Sequence, residues 1–401
     1  MMKRRGALIV ACMILVSSCG VGTANDGVEG CDHSDGTLVI GVIASLSGEV
    51  AARGTGLLNS VNLAVEQANE RCSVKGYRLE IAAKDERKDP ATAVRAAREL
   101  AADPRTVGVI GTQGSHTGQA VQPVLADKKI VQISPANTNP ALTKGPRFGT
   151  APARPFPAYF RTCTTDDNQG RFAARYLVNQ AGVHTVAVVS DGKIYGEGLA
   201  EAFLGEAQRL GAVVVARVRI DEHVSDLGAV AGSISALAPG AVYYGGEYGT
   251  AGRLSKALKE KGLGAPLMGG DGIVDPAYVR LVGVTGDLAT SVGAPPDSLD
   301  TAKSFVEAYN ERYREPYGAS GSLAYDAANV LISSLARTLR KVEWAEARRE
   351  ALIENVQAYI GEGASGTVAF DEFGDTITKL LTVYRVEDAG FAAVQTGKLE
   401  G

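Results

Sequence analysis

Short apolar runs alternate along this chain with longer stretches whose apolar residues recur every three or four positions. The runs Leu38–Ala44, Leu79–Ala83, Val107–Ile110, Ile130–Ile133, Val186–Val189, Val213–Val218, Ala241–Tyr244 and Pro266–Met268 predict strands. Between them Gly56–Arg71, Ala91–Ala102, Gly170–Gln180, Gly196–Leu210 and Thr250–Lys261 carry the helical period. Strands this short and apolar, alternating with helices, predict an α/β protein built of parallel sheets with helices on both faces.

In such sheets a ligand binds in the crevice beyond the carboxyl ends of the strands, so the residues just after each strand carry the chemistry. After the first strand comes Ser45-Leu46-Ser47-Gly48, and after the third comes Gly111-Thr112-Gln113-Gly114-Ser115-His116-Thr117-Gly118, opening a helix. The fourth ends on Ser134-Pro135-Ala136-Asn137-Thr138. Hydroxyls, glycines and a helix N-terminus suit an anion. The later strands deliver Asp191 to Gly196 with Tyr195, then Gly245-Gly246-Glu247, then Gly269-Gly270-Asp271-Gly272. Carboxylates and a tyrosine suit a cation. Anion donors on one wall and carboxylates on the other match a zwitterion.

The amino-terminal residues read as an address. Lys3, Arg4 and Arg5 precede the apolar run Ala7–Val16, and ten apolar residues are too few for a span of roughly 20. Val16-Ser17-Ser18-Cys19 resembles a bacterial lipobox, which implies a signal peptide over residues 1–18, lipidation of Cys19 and anchoring to the membrane. Residues 19–36, rich in Gly, Asp, Asn and Ser, read as the lipid anchor and a flexible tether. Removing residues 1–18 makes the formal charge of -4 more negative by three, which argues against nucleic acid or an anionic membrane surface as partner. Cys31, Cys72 and Cys163 remain, in a compartment where disulfides persist. Of the three possible bridges Cys31–Cys72 is favoured, because those residues flank the first strand and helix at one edge of a βαβ unit, leaving Cys163 as a buried thiol.

Further anchors run in order along the chain: Ser47-Gly48, Ala64-Val65 with Ala68-Asn69, Ser134-Pro135-Ala136, Asp166 with Gln169-Gly170, Tyr195-Gly196-Glu197-Gly198, Val242 to Gly246, Ala324-Tyr325-Asp326-Ala327-Ala328, and Phe370-Asp371 with Gly374-Asp375. Together they resemble the leucine/isoleucine/valine-binding proteins of the type I periplasmic solute-binding family over about residues 37–385. The resemblance implies two lobes, 37–162 with 293–378 and 165–291 with 379–401, joined by hinge crossovers. The first lobe would include helices at Asp297–Glu311 and Ala324–Arg340, with Pro295-Pro296 near a crossing. It also implies that Ser115 and Thr138, with the amides of Ala136 and Ser115, hold a ligand's α-carboxylate. Asp271 would hold the α-ammonium, and Tyr195 would close over the ligand.

Where the branched-chain binders carry apolar or aromatic groups, this chain has Arg53, Gln113, Ser320 and Glu247, with Gly114 beside them. A pocket for an aliphatic side chain is lined by apolar groups. The substitutions therefore point to a polar amino acid, an amide or another small zwitterion, unless Arg53 and Glu247 pair and leave aliphatic room. By the same resemblance the partners are an amino-acid-like ligand and an ABC permease. The chain would be a monomeric lipoprotein on the outer face of the cytoplasmic membrane, and a sensor domain reading the same ligand is the alternative.

Each site residue also has a plainer use. Ser115 caps the helix it opens, Thr138 and Asp271 sit in turns, and Asp166 caps the helix before Gln169. Catalysis has little footing. The loop Gly111–Gly118 lacks the dinucleotide fingerprint and a Lys-Ser/Thr phosphate pair, and Ser115 lacks a Gly-x-Ser-x-Gly setting. No spacing of cysteines or of the four histidines suggests a metal, and no cofactor is expected.

Overall fold

The alternating pattern becomes two separate sheets. The structure is a computed structural model that describes residues 30–399 except 222, 223, 225, 283, 284 and 389. The expected signal peptide, Cys19 and most of the tether lie outside the described residues, and every element falls in the unit Cys31–Gly401. Along the chain come β1 (Gly36–Ala44), α1 (Ala51–Glu70), β2 (Tyr77–Asp85), α2 (Pro90–Ala102), β3 (Thr106–Gly111), α3 (Ser115–Asp127), β4 (Val131–Ser134), α4 (Ala141–Lys144) and β5 (Tyr159–Arg161). Their strands form one sheet in the order β2-β1-β3-β4-β5, with every pair parallel. All strands then end on the same side, so Ser45, Glu86, Thr112 and Pro135 follow four neighbouring strands along one edge.

The chain crosses to the second sheet through α5 (Asp166–Arg175). It continues with β6 (Thr185–Ser190), α6 (Ile194–Arg209), β7 (Val213–Arg219), α7 (Gly228–Ser235), β8 (Ala241–Gly245), α8 (Tyr248–Glu260), β9 (Leu267–Gly269), α9 (Pro276–Val282) and β10 (Leu288–Ser291). Next come α10 (Lys303–Arg312), which packs on α1, and α11 (Gly321–Thr338) and α12 (Arg349–Gln357), which pack against the first sheet. A small hairpin of β11 (Ile360–Gly363) and β12 (Gly366–Ala369) follows, and β13 (Leu380–Glu387) with β14 (Gly390–Lys398) returns to the second sheet. That sheet runs β14-β13-β10-β9-β8-β6-β7.

The second sheet is not wholly parallel. β13 lies antiparallel to β10 and β14 antiparallel to β13. Only Asp388 and residue 389 separate β13 from β14, and so tight a connection joins antiparallel strands alone. The first helix begins at Ala51, five residues ahead of its predicted start. A side chain at Gly54 would come within 1.9 Å of the Ser45 carbonyl oxygen, so the glycine serves close packing. The predicted helix 170–180 opens instead at Asp166 and loosens into a wider turn over Tyr176–Gln180.

Each sheet is buried on both faces. In the first, α1, α11 and α12 cover one face through Leu57, Val61, Leu331 and Leu352, while α2 and α3 cover the other through Ala93, Leu100 and Val121. In the second, α5 and α6 cover one face through Phe172, Leu199 and Phe203, and α7, α8 and α9 the other through Ile234, Leu254 and Tyr278. At about 25 cal/mol per Å² of apolar surface removed from water, these four interfaces dominate the stability.

One charged group is fully enclosed where the chain leaves the first sheet. Arg161, the last residue of β5, donates from Nε to Asp375 Oδ1 at 2.6 Å and from Nη1 to the carbonyls of Asn137 (2.8 Å) and Asn139 (2.9 Å). Its Nη2 reaches the Thr143 hydroxyl, and Lys144 Nζ lies 3.0 Å from Asp375 Oδ2. Burial alone would raise the Asp375 carboxyl, but Arg161 and Lys144 hold it down at about 2. Near the amino end, Cys31 and Cys72 are bridged with Cα atoms 5.4 Å apart, while Cys163 is a buried free thiol.

Two outcomes follow from these features. Asp375→Asn should destabilise the fold by about 3–5 kcal/mol at neutral pH, because it strands a buried guanidinium. The folded carboxyl is depressed, so the native advantage is present above about pH 4 and is lost as pH falls toward 2. Urea midpoints of variant and parent should converge over that window; a gap constant from pH 7 to 2 would refute the assignment. Cys31→Ser should cost about 3–4 kcal/mol, the loop-closure entropy of a 41-residue separation. An unchanged urea midpoint would show that the bridge contributes nothing.

Candidate functional site

The carboxyl edges of the two sheets face one cavity. From the first sheet, Gln113, Gly114 and Ser115 line it where α3 starts, and Ala136 lines it after β4. The first-turn amides of a helix have no partner within it, so this wall offers donors. From the second sheet come Tyr195 in the first turn of α6, Glu247 after β8 and Asp271 after β9. Gly245 makes this wall possible: a side chain there would lie 2.0 Å from the Gly196 carbonyl, so α6 and the end of β8 touch backbone to backbone. Arg53, Lys88, His116, Asp191 and Lys193 complete the lining.

Asp271 is the most elaborately held of these groups. Its Oδ1 accepts from Gln169 Nε2 and from Tyr195 Oη, both at 3.0 Å, and its amide donates to Gln169 Oε1 at 3.0 Å. The Tyr195 oxygen in turn accepts from the Gly272 amide at 2.9 Å. The other carboxylate oxygen, Oδ2, lies 3.8 Å from Arg53 Nη2. Burial raises the Asp271 carboxyl above its ordinary range, against the pull of Arg53 and the bonds from Gln169 and Tyr195. Burial also pushes up the Tyr195 phenol.

Arg53 reaches across from α1 and pairs with Glu247 at 2.9 Å, and it also approaches the Gly272 carbonyl at 3.4 Å. Its side chain is 9% exposed and that of Glu247 is 24% exposed. A second contact spans the same gap, from the Tyr248 hydroxyl to the Glu49 carbonyl. Arg53 and Glu247 therefore neutralise each other inside the cavity while keeping spare donors and acceptors.

Of the residues singled out in the sequence, Arg53, Gln113, Gly114, Ser115, Ala136, Tyr195, Glu247 and Asp271 meet at this cavity. Ser115 is nearly fully buried, and its hydroxyl accepts from the Asn139 amide at 3.3 Å. Thr138 lies off the lining; it is fully buried, and its side chain acts on the Asp166 carboxyl. Ser320 is not brought to the cavity. It stands half-buried before α11, where its carbonyl accepts from the Ala324 amide at 2.9 Å.

Two carboxyl groups escaped sequence reasoning. Glu86 follows β2 and is fully buried beneath the loop into α3, accepting from the Gln113 amide at 3.1 Å and from Ser45 Oγ at 3.3 Å. Burial pushes it up to about 7, beyond what those donors offset. The predicted second strand stops at Ala83, so the strand-end rule never reached it. Asp166 is not the helix cap; Thr165 holds that place, and Asp166 is the first residue of α5. It is fully buried, and burial with Asp271 nearby pushes its carboxyl well above the ordinary range, against the pull of the Thr138 side chain and of Arg161.

Comparison with known proteins places this geometry. The profile of the periplasmic binding protein family matches residues 37–391. An amino acid binding protein of Pseudomonas aeruginosa is 28% identical over 362 residues, 89% of this chain and 92% of its own. A Leu/Ile/Val-binding protein of Rhizobium johnstonii is 28% identical, with 90% and 95% of the two chains covered. The solved leucine binding protein of Thermotoga maritima superposes with a TM-score of 0.80 at 27% identity, covering 90% of this chain and 99% of its own. The chain has the type I periplasmic-binding fold and belongs to the periplasmic binding protein family.

Proposed function

We propose that this chain is the extracytoplasmic solute-binding component of an ABC importer and captures an amino acid or similar small zwitterion between its two sheets. The observation that carries the reading is the opposition, across one cavity, of the helix start at Gly114–Ser115 and Asp271 with its Tyr195 partner. The ligand carboxylate would dock on the amides of Ser115 and Ala136 and on the hydroxyls of Ser115 and Thr138. Its ammonium would take the open Oδ2 of Asp271, beneath Tyr195. The names of the relatives, which bind amino acids, support the same class.

In this reading 37–162 with 293–378 and 165–291 with 379–401 are lobes that swing about the crossovers. Closure excludes water and so strengthens each charge interaction inside. Arg53 and Glu247, already paired, offer hydrogen bonds without net charge, which favours a polar uncharged side chain such as an amide over leucine. Cys19 would carry the lipid that holds the chain near its permease.

The test is a thermal-shift screen of amino acids, followed by calorimetry on Asp271→Ala. A ligand at 100 times its dissociation constant adds about 2.7 kcal/mol of stability. Glutamine or asparagine should shift the melt more than leucine. Losing the carboxylate should weaken binding by about 2–5 kcal/mol while the unliganded melt stays cooperative. Unchanged affinity in Asp271→Ala would overturn the assignment, and a preference for leucine would overturn the role given to the Arg53–Glu247 pair.

A further inference from the structure

Glu86 has no part in the ligand contacts described above, yet it lies directly beneath them. It is fully buried and takes its bonds from hydroxyls and amides rather than from a cation. Its backbone is pinned on both sides, the amide donating to the Ala44 carbonyl at 2.9 Å and the carbonyl accepting from the Asp89 amide at 2.8 Å. The side chain runs under the loop that opens α3. There it accepts from the Gln113 amide at 3.1 Å and from Ser45 Oγ at 3.3 Å, and the Gly114 amide and the Thr117 hydroxyl also draw on it. Gln113, Gly114 and Ser115 line the cavity. One helix start thus has a resident carboxyl beneath it and, on the cavity side, the place proposed for the ligand carboxylate.

A helix start carries about half a positive charge and stabilises one anion well. A second anion against it is repelled by the first, and a dry interior screens the pair poorly. A like charge nearby tightens a carboxyl's hold on its proton. Glu86 is poised for this, because burial has already pushed it up to about 7. The charged groups on the elements around it are otherwise engaged or distant from neutrality in their titration. On its own segment Asp85 pairs with Arg87 at 3.3 Å, Lys88 follows, and Asp89 caps α2 through the Thr92 amide. Glu49 is exposed on the loop after β1, and Arg53 of α1 is paired with Glu247. His116 of α3 sets Nε2 2.9 Å from the Lys88 carbonyl, and burial holds it below the ordinary histidine range.

We propose that Glu86 couples capture to proton uptake, taking a proton from solvent when a ligand carboxylate seats on the amides of Ser115 and Ala136. The inference rests on the amino-acid reading above. One O–H bond forms at Glu86 and the ligand brings one negative charge, so the wall keeps the charge it had. The occupied site holds the proton more tightly than the empty one. Affinity is therefore full below about pH 7 and falls as pH rises through the range where only the occupied site is protonated. A ligand whose carboxylate is replaced by a neutral amide brings no charge to the wall and takes up no proton.

The experiment uses the full chain, with the twenty L-amino acids and the α-carboxamide of each that binds as probes. A tenfold tighter hold on the proton in the occupied site makes affinity about fourfold weaker at pH 8 than at pH 6.5. Calorimetry in phosphate and Tris buffers at pH 7.5 should then report about half a proton taken up by the parent. Glu86→Gln, which keeps the shape without the charge, should take up none and bind at pH 8 as tightly as the parent does at pH 6.5. Affinity in the parent that is flat or rises with pH would overturn the proposal, as would the same slope in Glu86→Gln. Should that variant fail to fold, equal proton uptake with an amino acid and its carboxamide overturns the proposal on the parent alone. A panel in which no amino acid binds overturns the amino-acid reading with it.

Discussion

The guanidinium of Arg161 joins parts of the chain that lie far apart in sequence, and one wall of the cavity depends on it. It fixes the loop after β4 by two carbonyls, those of Asn137 and Asn139, and it fixes the returning segment by Asp375. Ala136 and Thr138 sit in that same loop. A planar group with its donors in a rigid fork sets angles as well as distances, which a lysine ammonium would not do. Full burial makes the arrangement all-or-none, since removing any partner leaves a desolvated charge.

Around this anchor the electrostatics of the cavity follow from burial. Glu86, Asp166 and Asp271 are all buried and all shifted upward, whereas Asp375, with two cations beside it, is shifted down. The contrast separates an enclosed carboxyl that has cations beside it from those that burial dominates. Asp271 has one oxygen doubly bonded and the other 3.8 Å from Arg53.

Much of this was legible in the residues. The parallel core and the strand-end loops follow from apolar period and from the rule that crevices open at carboxyl edges, so seven residues of those loops meet at one cavity, where Arg53 of α1, singled out by the resemblance alone, joins them. The antiparallel β13–β14 hairpin escaped because it lies at the sheet's margin, where Arg385 and Thr396 face water and dilute the strand signal. Asp166 was hidden for a different reason. An aspartate at a helix start has a common local use, and only the tertiary fold shows that its carboxyl points inward instead of capping. Ser320 fails in the opposite sense, since its place by resemblance does not carry it to the cavity in this chain.

The Cys31–Cys72 bridge has a mechanical meaning. Tension arriving through the residues ahead of Cys31 meets a covalent link to the end of α1 before it reaches β1. Without that link the load would fall on the pairing of β1 with β2, which starts at Gly36 and Tyr77 and could unzip bond by bond. With it, force passes into a 20-residue helix packed against β1, β2 and α11. Drag or crowding at the amino end is thereby kept from reaching the strand whose far end, at Ser45, abuts the binding wall.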